Sequence, residues 1–177
     1  HKANGERMEP VSPVFPTDIP AQQMEANDLV EQFTPIGPNQ IFSPGYGGGA
    51  NYAPISFSKD TGYLYINAID QPFNSGRDPK GYFSAYDPTT GELIWRQIFE
   101  GYGQAGSVVT AGGIVFVGAG SNTAGYFYAY DAYTGEELWK FNTGAGVFAS
   151  PSIYVIDGQE YVTVASGGGS RGRRGGD

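Results

Sequence analysis

The sequence predicts an all-β protein built from propeller blades, each a four-stranded antiparallel sheet. Its 177 residues include 28 Gly and 12 Pro, while aromatic residues reach 15% and charged residues only 16%. Short aromatic or β-branched runs alternate with turns that contain Gly or Pro, which is typical of a protein made of many strands. An eleven-residue phrase also occurs twice, and self-similarity at a period of about 40 to 50 residues indicates a repeat architecture such as a propeller.

The repeated phrase covers residues 85–95 and 129–139, and its shared letters lie 44 residues apart. In each copy an Asp can accept backbone N–H groups within a turn, and a Gly permits the positive φ that other residues resist. A small Ala leaves room for a neighbour. A Trp offers a large apolar surface that suits packing between adjacent blades. Stacking of the Trp on a ligand is the alternative, but its recurrence favours packing. The structural residues of the phrase are Ala85, Asp87, Gly91, Trp95, Ala129, Asp131, Gly135 and Trp139.

Hydrophobic runs and turns divide the chain into blades. The first predicted blade covers residues 47–104, with strands at 52–58, 63–68, 81–87 and 92–99. The second covers 105–145, with strands at 107–110, 114–119, 125–131 and 136–141. A partial last blade covers 146–177, with strands at 149–156 and 159–165 joined by Asp157-Gly158, which is a strong hairpin signal.

Residues 1–46 are Pro-rich and poorly periodic, which excludes a long helix or a central strand. We interpret them as the end of a preceding blade followed by a linker, with one short helical turn near 26–33. Residues 70–80 predict a polar loop, in which Asp70 and Asp78 are solvated carboxylates rather than a catalytic base. The basic run at 171–174 predicts a solvated loop.

Composition excludes several classes of function. The net charge of -8 and the pI near 4.5 argue against nucleic-acid binding, which needs a basic face. The chain has no Cys, so it can hold neither a disulfide nor a thiolate metal site. His1 is the only His, which excludes a His-based triad. The chain contains no run of 18 apolar residues, so the sequence predicts no transmembrane helix. The first residues lack the apolar region of a signal peptide.

The phrase Ala-x-Asp-x-x-Thr-Gly-x-x-x-Trp resembles the tryptophan-docking motif of the pyrroloquinoline quinone (PQQ) dependent dehydrogenases. Residues 47–65 resemble that family's Gly-Gly-x-Asn-Trp-x-Pro segment, residues 141–162 resemble its last blade, and residues 16–20 resemble an upstream linker. The likeness covers nearly the whole chain. It implies the C-terminal portion of an eight-bladed propeller, with an incomplete set of about three blades. Residues 2–6 resemble the tail of another docking phrase, so we expect the remaining blades to come from the same protein or from another chain.

The resemblance also implies cofactor-binding residues. Asn51 matches the Asn that reaches the quinone oxygens, and an amide provides neutral donors for them. From the residues alone, an Asn that bonds its own turn is the stronger interpretation; the resemblance reverses that order. Tyr52 replaces the family's Trp, which puts a stacking role in doubt. Gly146 and Val147 match a loop that approaches the cofactor through its backbone. Phe148 either lines the substrate pocket or belongs to the core.

The activity implied by the resemblance is oxidation of an alcohol, polyol or sugar, with PQQ as electron acceptor and a cytochrome c or quinone downstream. The family's catalytic Asp, its Cys pair and its ligands for Ca²⁺ or a lanthanide match no residue here, so we assign no catalytic or metal residue to this chain. A periplasmic location is expected, either soluble or attached to the outer face of the inner membrane.

Two other interpretations stay open. One is a non-catalytic propeller scaffold that binds proteins in the cell envelope; the other is a repeat segment without independent activity. Asn51 together with Gly146 and Val147 favours the enzyme, because a scaffold has no reason to carry them.

Overall fold

The structure, a computed structural model, describes residues 49–71, 79–121 and 124–167. These residues form two four-stranded antiparallel sheets and one two-stranded hairpin, which confirms the all-β prediction. No helix among them is long and apolar enough to cross a membrane. The linker with its expected helical turn, most of the predicted polar loop and the basic run lie outside the described residues.

The first sheet has four strands, which lie side by side in chain order. A turn at 58–62 joins the first two strands: the Ser58 hydroxyl accepts the backbone N–H groups of Asp60 at 3.2 Å and Thr61 at 3.3 Å. Gly62 completes this turn with a φ of 76°. The strands of this sheet are β1 (Ser56–Phe57), β2 (Leu64–Asp70), β3 (Lys80–Tyr86) and β4 (Leu93–Glu100).

The first strand is much shorter than the predicted 52–58. Pro54 has no N–H to give to a ladder, and its carbonyl instead accepts the N–H of Ser107, in the second sheet, at 3.4 Å. Residues 52–55 therefore belong to the loop that enters the sheet.

The second sheet repeats the first, again with four strands side by side in chain order. Both copies of the repeated phrase shift the strand register, after the Ala85–Trp95 pair in one sheet and after the Ala129–Trp139 pair in the other. The same residues thus build the same bulge twice. The strands are β5 (Ser107–Val109), β6 (Ile114–Gly120), β7 (Gly125–Asp131) and β8 (Glu137–Asn142).

A hairpin of β9 (Ser152–Ile156) and β10 (Gln159–Thr163) follows the second sheet. Its two turn residues, Asp157 and Gly158, have φ values of 50° and 79°, the left-handed pair that a tight hairpin turn needs. Residues 149–151, predicted as strand, lie in the loop before the hairpin.

The core lies between the two sheets. Trp95 of the first sheet is 5.8 Å from Tyr65 of the same sheet and 6.3 Å from Tyr130 of the second, measured between ring centroids. Phe83 lies 6.0 Å from Tyr130. The two sheets stack face to face as neighbouring blades of a propeller that does not close within the described residues.

The outer face of the second sheet is open. Trp139 occupies the position of Trp95 in the repeat, yet Trp139 is 48% exposed and Trp95 only 8%. Trp139 contacts Phe127 edge-on at 6.2 Å and stacks on Phe141 at 5.8 Å. This apolar surface is the counterpart of the face that the first sheet buries against the second.

Candidate functional site

The contact between the two sheets centres on Trp95. Its indole N–H donates to the carbonyl of Ala132 at 3.1 Å, and the Tyr65 hydroxyl donates to the same oxygen at 3.1 Å. The side-chain amide of Gln97 donates to the Gly135 carbonyl at 2.8 Å. The Trp of the first repeat therefore packs against the turn of the second repeat.

The Asp of each phrase shapes this turn. One oxygen of Asp131 accepts the N–H groups of Tyr133 at 2.9 Å and Thr134 at 2.8 Å. Asp87 accepts the hydroxyl of Thr89 at 2.6 Å and its N–H at 2.7 Å. Hydrogen bonds of this kind favour the ionised form. They lower the pKa of Asp87, chiefly through the Thr89 side chain, and that of Asp131, chiefly through the backbone of Thr134. Both carboxylates therefore accept hydrogen bonds from residues of their own turns.

Three segments lead into β1, β5 and β9, and we call residues 49–55, 101–106 and 143–151 the inlet loops. The two sheets and the hairpin each form one unit. In each unit, backbone hydrogen bonds connect the inlet loop to a residue at, or just after, the end of the second strand. The bridges are Ile69 N–H to Gly49 O at 3.0 Å, Tyr102 N–H to Gly120 O at 2.9 Å with its reciprocal bond at 3.2 Å, and Gly167 N–H to Gly146 O at 3.2 Å. Because the relation recurs, the inlet loops lie at one end of the propeller.

The three inlet loops meet at Gly106. A Cβ at this position would overlap the Ser150 hydroxyl of the third loop and would lie 3.0 Å from the Pro54 ring of the first. Only a glycine lets these loops approach so closely. The sequence-predicted residues Asn51 and Gly146 are thus carried on neighbouring loops.

Asn51 and Tyr52 lie on the surface of the first inlet loop. Both are exposed, Tyr52 to 61%. The Tyr52 hydroxyl donates to the Gln104 side-chain oxygen of the second loop at 3.5 Å, near the limit of a hydrogen bond. These side chains are accessible to a ligand at the end of the sheets.

Gly146 and Val147 are both buried, and the chain itself fills the space around them. The Val147 side chain is fully buried against Gly118, where a Cβ would overlap its Cγ1 atom. A Cβ at Gly146 would lie 2.5 Å from the Ser121 carbonyl and 2.8 Å from the Phe148 ring. Packing therefore explains both residue types, and at these two positions the loop can offer a ligand only its backbone.

Sequence reasoning missed two residues whose side chains hold the inlet loops in place. Tyr102 packs edge-on against Phe148 at 6.4 Å and accepts a bond from the Gln71 amide at 3.4 Å. Asn67 is 3% exposed, and its amide donates to Ala105 O at 3.0 Å and Gly118 O at 3.3 Å. A polar residue at a buried position of an alternating strand is the signal that points to Asn67.

The described ranges contain no group of three or more His, Asp or Glu side chains placed to hold a metal ion.

Comparison with known proteins identifies the fold. The family described as "Glucose/ethanol/alcohol dehydrogenase, beta-propeller domain" matches residues 99–162. The quinoprotein alcohol dehydrogenase PedE of Pseudomonas putida is 36% identical over 76% of this chain and 25% of its own length. The 1-butanol dehydrogenase (quinone) of Thauera butanivorans is 34% identical over 99% of this chain and 30% of its own. The crystal structure of the quinohemoprotein alcohol dehydrogenase of Comamonas testosteroni superposes with a TM-score of 0.64 and 30% identity, covering 72% of this chain and 24% of that one.

The chain belongs to the propeller family of PQQ-dependent dehydrogenases. It spans about a quarter to a third of the length of these two curated relatives. The residues that would suit PQQ, a flat molecule with carbonyl and carboxylate oxygens, lie in the inlet loops of this segment. Asn51 offers an exposed amide, which is the donor type that such oxygens accept, and Tyr52 offers an exposed ring beside it.

Proposed function

We propose that this chain forms one wall of the cofactor cavity in a PQQ-dependent dehydrogenase that oxidises an alcohol, polyol or sugar. The observation that carries the proposal is the convergence of three inlet loops at one end of the sheets, with Asn51 exposed there. Similarity to quinoprotein alcohol dehydrogenases supports the reaction class.

Each part of the wall has its own role. The Asn51 amide donates to a quinone oxygen and sets the orientation of the ring. Tyr52 covers part of the ring with its aromatic face and, through Gln104, ties the first loop to the second. The backbone of the third loop excludes water from the edge of the cavity, since Val147 anchors it in the core. When bound, PQQ supplies the two-electron acceptor for the alcohol carbon.

The remaining groups come from elsewhere in the protein. Further blades supply the base and the ligands for Ca²⁺ or a lanthanide, which polarises the quinone. Electrons leave to a cytochrome c or a quinone. The periplasm is the proposed location.

The open face of the second sheet is the proposed contact with the next blade. Trp139 contacts Phe127, the counterpart of the Phe83 that contacts Trp95. We propose that it packs in the same way against a neighbouring turn, with a carbonyl that accepts the indole N–H and a Gly close to the ring. A blade with an Asp-x-x-Thr-Gly turn provides both. Docking it would bury Trp139 and Phe141, which are otherwise exposed apolar surface.

The test is a titration of PQQ into the complete protein, with Asn51→Ala beside the unchanged protein. We expect the variant to bind PQQ about tenfold more weakly, because one bond to a charged or strongly polarised oxygen is lost. Gln159→Ala is the control, since Gln159 is an exposed amide beside the hairpin turn, away from the inlet loops. Equal affinity in Asn51→Ala and the control contradicts the role of Asn51. No PQQ binding by the unchanged protein favours the protein-binding scaffold instead.

A further inference from the structure

The third inlet loop is tied down differently from the other two. In the first two units the bridge reaches the end of a β-strand, at Ile69 of β2 and Gly120 of β6. In the third unit β10 ends at Thr163, and the bridge comes from Gly167, four residues farther along. This bond is 3.2 Å long, and Gly167 has a φ of 127°. This bridge therefore has no strand ladder to support it.

A side chain strengthens the weak bridge. The Ser166 hydroxyl donates to the Ala145 carbonyl at 3.0 Å and lies 3.3 Å from the Thr143 carbonyl. The Thr143 hydroxyl donates to the same Ala145 oxygen at 2.7 Å. One carbonyl thus accepts two hydroxyl groups, which holds the segment after β10 against residues 143–145.

We infer that Ser166 is a positioning residue for the third inlet loop, and this inference rests on the proposed cofactor wall. Val147 fixes the inner end of the loop by packing on Gly118, and Gly146 beside it is also buried, whereas residues 143–145 are half-buried or exposed. Gly144 is exposed and has a φ of 77° with open space around it. Ser166 and the Gly167 N–H restrain this outer arm from the far side. The shape that the loop backbone presents to PQQ then depends on a hydroxyl that itself touches no ligand.

A structural and a positioning role predict different results. Ser166 is exposed and lies beyond β10, so its removal leaves the core and the global stability nearly unchanged. Removal loosens the loop locally, because openings of a few residues have their own small free energies. The affinity for PQQ falls as the loop spends less time in the binding shape.

The experiment compares Ser166→Ala, Ser166→Thr and Thr163→Ala in the complete protein without PQQ. Amide hydrogen exchange is followed at Thr143, whose N–H donates to Gly125 O at 3.0 Å, and at Gly167. We expect Ser166→Ala to raise exchange at both amides about fivefold, the effect of losing one hydrogen bond of ordinary strength. Ser166→Thr keeps the hydroxyl and restores slow exchange. Thr163→Ala removes an equally exposed hydroxyl, which donates to Tyr154, and leaves both amides unchanged.

PQQ titration of the same variants separates this inference from the proposed function. We expect the affinity to fall a few-fold in Ser166→Ala alone, with an unchanged unfolding midpoint. The inference is overturned if exchange at Thr143 and Gly167 is unchanged in Ser166→Ala, or if Thr163→Ala changes it equally. Faster exchange with no change in PQQ affinity shows that Ser166 holds the loop but does not position it for the cofactor, and this also overturns the inference. If neither the variants nor the unchanged protein binds PQQ, the proposed function fails. Faster exchange in Ser166→Ala would then show that Ser166 restrains the loop without any role in PQQ binding.

Discussion

Trp95 occupies the space that a side chain on Gly135 would fill. A Cβ at Gly135 would lie 2.6 Å from Cδ2 and 2.8 Å from Cε3 of the indole. Gly135 also has a φ of 74°, so two independent constraints require glycine at this position. The contact joins the two sheets at the point where each repeat meets the next.

Gly135→Ala should therefore destabilise the protein more than an ordinary turn substitution. Gly62→Ala is the matched control, because Gly62 has a φ of 76° and nothing within 4 Å of its Cβ position. We expect the control to lose about 1 to 2 kcal/mol from backbone strain alone. The overlap with Trp95 should add about 1 to 3 kcal/mol for Gly135→Ala. Urea unfolding measures both, and equal losses would show that the indole moves aside freely.

The two Trp residues should respond differently to the same change. Trp95→Phe removes the bond to Ala132 and part of a buried ring, so we expect a loss of about 2 to 3 kcal/mol. Trp139→Phe changes a half-exposed ring and should cost less than about 0.5 kcal/mol in this chain. Denaturation monitored by circular dichroism measures the difference.

The proposed docking of a further blade adds a second comparison. In the complete protein Trp139→Phe should become as costly as Trp95→Phe, because both rings are then seated in a neighbouring turn. A cost that stays near zero would contradict docking at Trp139.

Most of the architecture was predictable because it depends on local patterns. The bounds of β7 match the predicted 125–131, and the other strands agree within a few residues, since alternation and turn glycines mark them. The main error is β1, where Pro54 makes a bond to the second sheet that no local pattern contains. The 44-residue repeat predicted that Trp95 packs between adjacent blades, but it did not predict the contacts of the ring with Ala132 and Gly135 in the next turn.

The candidate site was less predictable, because its contacts join distant parts of the chain. Resemblance pointed to Asn51 and Gly146, and the structure places both on converging loops. The burial of Val147 depends on Gly118, and the restraint of Ala145 depends on Ser166; neither pair is close in sequence or follows a periodicity. The cofactor role of Asn51 stays a prediction.

Asn67 offers a test of the buried contact between the sheets. Asn67→Ala leaves the Ala105 and Gly118 carbonyls without their donor, which should cost roughly 2 kcal/mol or more. Asn67→Asp keeps the shape but turns a carboxylate toward two carbonyl oxygens, so at neutral pH it should cost more than Asn67→Ala.

The loss in Asn67→Asp should shrink on acidification. Burial and the facing carbonyls disfavour the charged form and raise the pKa of the introduced carboxyl above that of the unfolded chain. The variant therefore gains stability relative to the unchanged protein as pH falls from neutral toward about 4. Urea midpoints of both proteins across this range measure the effect; a gap that is independent of pH would mean that the carboxylate is hydrated.

Buried tyrosines should make the protein sensitive to alkali. Burial, followed by the charge of Glu137, raises the pKa of Tyr128 to about 12, and burial also raises the pKa of Tyr130 and Tyr65 above the ordinary 10.0. The unfolded chain ionises its tyrosines first, so their contribution to stability is complete below about pH 10 and is lost as pH rises from there toward about 12. The urea midpoint should fall over that interval while the absorbance of tyrosinate appears with unfolding.

Tyr128→Phe should make the fall shallower, whereas Tyr161→Phe should not, since Tyr161 is 44% exposed. Equal slopes in the two variants would mean that water reaches the Tyr128 hydroxyl in the folded protein.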